Sequence, residues 1–386
     1  MEPSQRVAFA EPFRIFFPLG LILGAIGVSL WPLFYWHVLT FYPAAPHMRL
    51  MIEGLMGSFV IGFLGTAGPR LLEAKPVSAV EAVTLLVLQI SSALCHLAQR
   101  PFAGDFLFLV LLLFFLGALV RRTSGRTDLP PPSFVLVLFG FLNAIAGLIL
   151  ILSAPRLNSF FANQLGTLML NEGFILCPIL GVGAFFLPKL LGGGIPEPVD
   201  LRIGTTLWRR RAAVAALCGL AIWSSFLVEA LGWTRSAALL RGLTTLFYLV
   251  VQGHLLEKPV ERPFLARCFQ LGAILLVIGL LLPAVLPSYR VATLHLVFIG
   301  GFSIILFTVS TRVILGHSGH SHLFERRLRF LVTALALLML ATLARMSADW
   351  FPAERNSHLV YAALIWLAAA GVWAAVLVPK LWLRED

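Results

Sequence analysis

Charged residues are scarce in this sequence. Only 12% of its 386 residues are Asp, Glu, Lys or Arg, whereas 59% are hydrophobic, and the mean hydropathy is +0.92. A soluble domain usually contains about 25% charged residues. The shortage of charge therefore argues against a soluble globular protein and indicates an integral membrane protein whose apolar runs cross a lipid bilayer.

Cysteine is also rare, and it forms no motif. The four cysteines, Cys95, Cys177, Cys218 and Cys268, stand singly in apolar surroundings, and the sequence contains no C-x-x-C or C-x-x-C-H. This argues against paired redox thiols and against covalently attached c-type haem. We interpret the thiols as buried side chains without a chemical role.

Basic residues exceed acidic ones without forming long tracts. The net charge is +11, and the arginines fall in short loops between apolar runs. This distribution is typical of membrane topology and of contact with lipid headgroups, and not of nucleic-acid binding.

The apolar runs predict twelve transmembrane helices and therefore an all-α, polytopic bundle. The approximate bounds of these spans are 12–36, 48–69, 78–98, 105–121, 133–153, 162–188, 211–233, 236–256, 265–287, 290–315, 327–348 and 357–380. The first run is not followed by a small-residue cleavage site, so we predict that it is a retained span.

Loop charges predict the orientation of the bundle. Clusters such as Arg121–Arg122, Arg209–Arg211 and Arg326–Arg329 fall on the side of the N-terminus. The opposite side is predicted to hold only isolated arginines, namely Arg49, Arg100, Arg156, Arg235, Arg241, Arg290, Arg345 and Arg355. By the positive-inside rule, both termini are predicted to be cytoplasmic.

We predict a single membrane domain over residues 1–386. Spans 1–6 cover about 12–188 and spans 7–12 about 211–380, joined by a cytoplasmic loop at 190–209 that contains the turn-rich sequence GGGIPEPVD. Spans 2 and 6 both end in small residues followed by Pro and a cation. This pattern is either an ordinary helix stop at the membrane interface or a sign of a threefold repeat of four helices.

Histidines lie near the ends of the spans. His295 and His317 are 22 residues apart at the two ends of span 10, which places them within about 40° of one helix face and about 33 Å apart along its axis. His47, at the start of span 2, could face His295 across a cavity in the outer leaflet. Imidazole is the usual ligand of haem iron and copper, so these three histidines are candidate metal ligands. The alternative is an interfacial histidine with a satisfied hydrogen bond.

Ionisable residues inside the spans are the other candidates. Glu53 in span 2 and Glu172 in span 6 are costly in a membrane unless they are partnered, so both are predicted to face the bundle interior. Each is either a functional group, namely a ligand, a proton relay or a neighbour of a haem propionate, or an interhelical hydrogen-bonding group. Arg312, near the inner end of span 10, either neutralises a haem propionate or extends to the interface.

The tenth span carries a family signature. The residues His295-Leu-x-x-x-Gly300, followed by Thr311-Arg312-x-x-Leu315-Gly316-His317-Ser318-Gly319, resemble the signature of the NnrS family, with Ser318 in place of Thr and His320 in place of Arg. Gly62–Ala67 resembles the second-helix pattern of the same family. There Glu53 follows Ile52 where the family has a histidine, and the nearest histidine is His47.

The resemblance implies a bacterial inner-membrane protein of about twelve helices that contains haem, alone or with copper, and that protects against nitrosative stress by binding or responding to nitric oxide. The site it implies consists of His295, His47 and His317 with Arg312, supported by Glu53 and Glu172. Whether such a protein is an enzyme is left open. The alternative function is a secondary transporter of a small solute or ion, because twelve spans and a polar sixth span also fit that architecture.

Overall fold

A computed structural model describes residues 11–124, 130–190, 205–257 and 264–383. These residues form no strand and twelve long helices, α1–α12, which confirms the predicted all-α bundle. Nine helices are uninterrupted: α1 Phe13–Tyr35, α3 Ala79–Leu97, α4 Pro101–Thr123, α5 Phe134–Leu157, α7 Thr206–Ala230, α8 Thr234–Val251, α9 Phe264–Val285, α11 Arg329–Trp350 and α12 Arg355–Leu377.

The other three helices each contain a π-helical segment between two α-helical ones. The segments are Ala44–Arg49, Leu50–Met56 and Gly57–Leu71 in α2; Phe160–Leu168, Met169–Gly173 and Phe174–Leu190 in α6; and Arg290–His295, Leu296–Ser303 and Ile304–His317 in α10, the middle one being π in each case. π-Helical turns are rare and occur frequently at functional sites. Their positions therefore direct attention to α2, α6 and α10.

Every predicted span coincides with one of these helices. Eleven of the helices in the described residues are long and apolar enough to cross a membrane, and α8, with 18 residues, is outside that group. The chain is thus a multi-pass membrane protein. The cytoplasmic placement of the termini stays a prediction, and residues 191–204 of the predicted loop lie outside the described residues.

The twelve helices form three units of four with the same order of contacts. Within the units, the first helix packs on the second and the third on the fourth: α1 on α2 and α3 on α4, α5 on α6 and α7 on α8, α9 on α10 and α11 on α12. Contacts of α4 with α5, α8 with α9 and α12 with α1 join the units into a ring. This arrangement favours the threefold repeat over a chance similarity of helix ends.

The second helix of each unit is its inner helix. The buried share of the apolar span is 83% in α2 and 72% in both α6 and α10. In the other eight spans this share is at most 61%. The π-helical segments therefore lie in the most enclosed part of the bundle.

Glycines bring the first and second helices of each unit close together. The matching contacts are Gly20 with Leu55, Gly140 with Phe174, and Gly272 with Gly301, where a methyl group on the first residue would lie 3.0, 3.1 and 3.3 Å from the carbonyl oxygen of the second. Each of these carbonyls directly follows a glycine of the π-helical segment, Gly54, Gly173 or Gly300. Those three glycines therefore occupy the same place in the three units.

Close packing of α5 on α6 leads to a test with a matched pair of glycines. A methyl group on Gly147 would lie 2.7 Å from the carbonyl oxygen of Gly166, whereas one on Gly117 would meet no atom within 4 Å. We expect Gly147→Ala to lower the free energy of unfolding by about 1–3 kcal/mol, because backbone cannot yield to the new group. We expect Gly117→Ala to be neutral or stabilising by roughly 0.5–1 kcal/mol. Thermal unfolding in detergent measures both, and equal melting temperatures would contradict the packing.

Candidate cofactor site and buried charges

His47 lies in the first segment of α2, just before the π-helical segment. Its Nδ1 is 2.9 Å from the carbonyl oxygen of Gly27 on α1, and its ring meets Trp31 edge-on with 5.9 Å between centroids. Since a carbonyl oxygen only accepts hydrogen bonds, Nδ1 carries a proton and donates it. In the neutral ring the lone pair therefore lies on Nε2.

His295 has the same arrangement at the start of α10. Its Nδ1 is 2.7 Å from the carbonyl oxygen of Val291, and its ring meets Phe298 edge-on with 6.1 Å between centroids. Nδ1 again donates, which leaves the lone pair on Nε2. A ring nitrogen held by a backbone carbonyl, with the other nitrogen available, is the usual state of a metal-ligating histidine.

The structure brings these two imidazoles, the histidine pair, to one end of the bundle. They are close enough to interact electrostatically, and the charge of Arg345 on α11 acts on both rings. The next residue, Met346, packs in one apolar cluster with Ala292 and Leu296 of α10. The histidine pair therefore shares its surroundings with an arginine that the sequence analysis did not select.

Arg345 is a buried cation with little compensation. Its side chain is only 12% exposed, and its Nη1 lies 3.5 Å from Oδ2 of Asp349 without a hydrogen-bond partner among the described residues. Asp349 is shared with Arg355, whose Nη2 lies 3.9 Å from Oδ1. The positive charge beside the histidine pair is therefore only partly neutralised by the protein.

His317, at the other end of α10, has both ring nitrogens engaged. Nδ1 is 2.9 Å from Oε1 of Glu11, and Nη1 of Arg70 donates to Nε2 at 3.1 Å. The structure therefore places this predicted ligand in protein contacts, away from the histidine pair.

The contacts of Arg14 join both ends of the described chain to α10. Arg14 donates to the carbonyl oxygens of His317 at 3.0 Å, of Leu383 at 2.9 Å, and of Leu381, and its Nε lies 2.7 Å from Oε2 of Glu11. Burial raises the pKa of Glu11, but the hydrogen bonds from His317 and Arg14 outweigh burial and lower the pKa to about 2. Glu11 is therefore a carboxylate that is stabilised by this cluster.

Arg312 is not part of either histidine environment. Its Cζ lies 4.3 Å from the ring centroid of Phe324, which is a cation–π contact. Within the described residues, no hydrogen bond or ion pair links it to His317 or His295.

Glu53 lies in the π-helical segment of α2, in a buried cluster with α3 and α4. Nε2 of His96 is 3.1 Å from Oε2 of Glu53 and 3.7 Å from Oδ1 of Asp105. Nε of Arg49 is 2.7 Å from the same Oδ1 and 3.3 Å from Oε1 of Glu53. Gln89 donates to the backbone carbonyl of Glu53 at 3.0 Å, so a side chain satisfies a carbonyl of the π-helical segment.

This cluster offers three metal-ligand atoms, from Glu53, His96 and Asp105, all within 4.8 Å of one another. However, the Arg49 guanidinium already supplies a positive charge to both carboxylates. A divalent ion would add a second buried cation beside it, which is costly. The donor set therefore fits a metal ion less well than its ligand count indicates.

The histidine pair fits haem iron or copper better. Both metals accept neutral imidazole nitrogen, and the two Nε2 atoms make no hydrogen bond within the described residues. No ion pair has to be broken to use them. We therefore regard the histidine pair as the candidate metal site.

Glu172 lies in the π-helical segment of α6, in a buried ring of four charges. Arg241 and Arg290 each form ion pairs with both Glu172 and Glu229, and Nη2 of Arg290 lies 2.8 Å from Oε1 of Glu172. Ser225 accepts a further hydrogen bond from Nε of Arg241 at 3.0 Å. Two cations thus balance two carboxylates and join α6, α7, α8 and α10, which matches the interhelical alternative for Glu172.

Four arginines on the predicted outer side lie inside helices and form ion pairs. Arg49, Arg241, Arg290 and Arg345 lie in α2, α8, α10 and α11. The bounds of predicted spans 2, 8, 10 and 11 include these residues, but their ion pairs were not predicted. Their position within or beside apolar runs was nevertheless the signal for the partners of Glu53 and Glu172.

An apolar cavity of about 90 Å³ lies between the three inner helices. Its wall includes Phe59 of α2, Val182 of α6 and Ile305 of α10. The one polar side chain in this wall, Ser310, donates to the carbonyl oxygen of Leu306 at 2.6 Å. A single water needs about 10–15 Å³, so the cavity has room for small neutral molecules, whereas its apolar wall disfavours water.

The pKa of Glu11 predicts a specific pH dependence of stability. Because the folded-state pKa is lowered from 4.5 to about 2, the carboxylate stabilises the fold fully above pH 4.5, and this contribution is lost as the pH falls toward 2. We expect the melting temperature of the wild type to exceed that of Glu11→Gln above pH 4.5, and the difference to shrink on acidification. Exposed Glu354→Gln is the control. A difference independent of pH would contradict the pairing of Glu11.

Comparison with known proteins gives one family. The sequence model of the NnrS protein family matches residues 7–384, nearly the whole chain. No curated protein matches the chain.

Proposed function

The chain belongs to the NnrS family, and from this premise we propose that it is a haem-binding protein of the bacterial inner membrane that binds nitric oxide and protects the cell against nitrosative stress. The resemblance around Thr311–Gly319 motivates haem and nitric oxide, with copper as an additional metal. The eleven apolar spans support a membrane location.

The observation that carries the proposal is the matched state of the histidine pair. His47 and His295 come from helices of two different units, yet each donates Nδ1 to a backbone carbonyl and keeps Nε2 available. One such histidine is common in any fold. Two of them close together, each beside a π-helical segment, are the arrangement expected of metal ligands.

We assign roles to the residues of this site as follows. His295 and His47 would hold the metal through Nε2, and the carbonyl groups of Val291 and Gly27 hold the two rings in the required tautomer. A bound haem iron or copper would supply the affinity for nitric oxide. We assign no ligand role to His317, because Glu11 and Arg70 engage both of its nitrogens.

The central cavity supports a neutral diatomic as the ligand. Nitric oxide is small and uncharged and partitions into lipid, so it does not need a polar channel. The cavity between α2, α6 and α10 offers about 90 Å³ of space with an apolar wall. We propose that it holds nitric oxide within the bundle.

Removing either histidine tests the metal site. We expect His295→Ala and His47→Ala to lower the haem content of purified protein by more than about tenfold, because each change deletes a ligand atom. The Soret absorbance per protein, with and without nitric oxide, is the measurement. His322→Ala, at an exposed position, is the control and should keep the wild-type spectrum.

Wild-type protein that binds no haem and no copper after expression with both supplied would overturn the proposal. So would alanine variants of the histidine pair that keep the full Soret absorbance.

A transporter is the second candidate, and one feature favours it. A pocket of about 310 Å³ is lined by Asn163, Gln164 and Thr167 of α6 together with Glu229 and Arg290. Such a polar pocket beside the buried charges could hold a polar solute.

Flux measurements separate the two candidates. A transporter requires tracer flux through haem-free protein in liposomes. Glu172→Gln should abolish this flux, because it removes one of the four charges formed by Glu172, Glu229, Arg241 and Arg290. We expect no flux in the wild type or in Glu172→Gln, because both carboxylates are paired with arginine. Flux that depends on Glu172 would favour the transporter.

A further inference from the structure

The third unit lacks a carboxylate that the other two units have. In α2 and α6, the residue before the matching glycine of the π-helical segment is a glutamate, giving Glu53-Gly54 and Glu172-Gly173. In α10 the corresponding pair is Ile299-Gly300. The glycine contacts described above set this correspondence independently of the residue types before the glycines.

The missing carboxylate changes the charge balance of the third unit. In the first unit Glu53 and Asp105 both pair with Arg49. In the second unit Glu172 and Glu229 pair with Arg241 of the same unit and with Arg290 of the third. Within the described part of the third unit, the one carboxylate that pairs with Arg345 is Asp349, 3.5 Å away, and Arg355 shares it. The buried Nη1 of Arg345, like that of Arg49 in the first unit, makes no hydrogen bond among the described residues, but Arg49 has two carboxylates beside it. A buried guanidinium in this state is unfavourable unless a further anion is present.

The under-compensated cation lies beside the histidine pair. Met346 packs with Ala292 and Leu296, which places this turn of α11 against the part of α10 that carries His295. The electrostatic interactions of Arg345 reach His47 as well. Two imidazoles with free lone pairs and one cation that is only partly neutralised together suit a ligand that has both a metal and a negative charge.

We infer that Arg345 binds a carboxylate of the ligand held by the histidine pair, namely a propionate of haem. This inference rests on the proposed function and adds a residue that selects an anionic cofactor. A carboxylate would complete the charge balance that Glu53 and Glu172 provide in the other units. Arg312 is a poorer partner, since its guanidinium lies on Phe324 near the other end of α10.

Haem and its dimethyl ester, in which both propionates are neutral, separate this contact from other effects. We expect Arg345→Gln to weaken haem binding by about 10- to 100-fold, the range for a lost charge-assisted hydrogen bond. Arg345→Lys should retain most of the affinity. With the dimethyl ester, wild type and Arg345→Gln should bind equally, because no carboxylate remains to be recognised. Spectrophotometric titration of apoprotein gives all of these dissociation constants.

A second pair of variants tests the same contact from the opposite side. Ile299→Glu introduces the carboxylate that the third unit lacks, and we expect it to pair with Arg345 and weaken haem binding as Arg345→Gln does. Ile299→Gln has nearly the same shape without the charge and should bind as the wild type. This pair leaves Arg345 in place and decides the question if Arg345→Gln fails to fold.

Two results would overturn the inference while leaving the proposed function intact. One is wild-type haem affinity in both Arg345→Gln and Ile299→Glu. The other is a loss in Arg345→Gln that persists with the dimethyl ester, which would mean that Arg345 binds a free anion or acts on the fold. Failure of the proposed function looks different, because then the wild type itself binds neither haem nor the ester.

Discussion

An ionised side chain in the interior of a membrane protein needs a partner of opposite charge, and this requirement organises the structure. Glu53 and Glu172 are both almost fully buried, and each is paired with arginine from its own or a neighbouring helix. Since removing one partner of such a pair costs about 3–5 kcal/mol, the ion pairs specify which helices must meet and in which register. The apolar contacts around them stabilise the bundle, and the close glycine contacts add to the selection of one arrangement.

The sequence alone predicted the twelve helices well, because the length of an apolar run is a local property. It did not predict the ion pairs, since Arg241 and Glu172 are 69 residues apart and nothing local links them. Arg49 lies inside predicted span 2, but its partner Asp105 is 56 residues away, so that pair was not predicted either. A buried carboxylate allows a helix to continue through an arginine. The π-helical segments also left no sequence signal that we could interpret.

The candidate site was partly accessible from sequence. His47 and His295 were selected as imidazoles near span ends, and their placement in one neighbourhood depends on α2 and α10 being inner helices of a ring. His317 was selected on the same grounds but has its two nitrogens engaged by Glu11 and Arg70. The spacing of histidines along one helix cannot show whether both ring nitrogens are engaged, because the engaging residues come from elsewhere in the chain. Arg345 was not predicted to be a site residue. Its interest is that its positive charge is only partly neutralised by Asp349, and this becomes visible only when its neighbours are known.

The position of the histidine pair gives the site a structural consequence. His47 belongs to the first unit and His295 to the third, and these units meet where α12 packs against α1 to close the ring. Among the described residues no loop connects the units at this junction, which is held by noncovalent contacts. At the opposite end of α10, Arg14 provides such contacts through the carbonyl groups of His317 and Leu383. A metal held by both histidines would close the junction at the other end, and any ligand that binds only the closed ring stabilises it by mass action. The third unit has Ile299 at the position where the other two units have a buried, paired glutamate. Under the proposed function, cofactor binding and ring closure would depend on the same few residues.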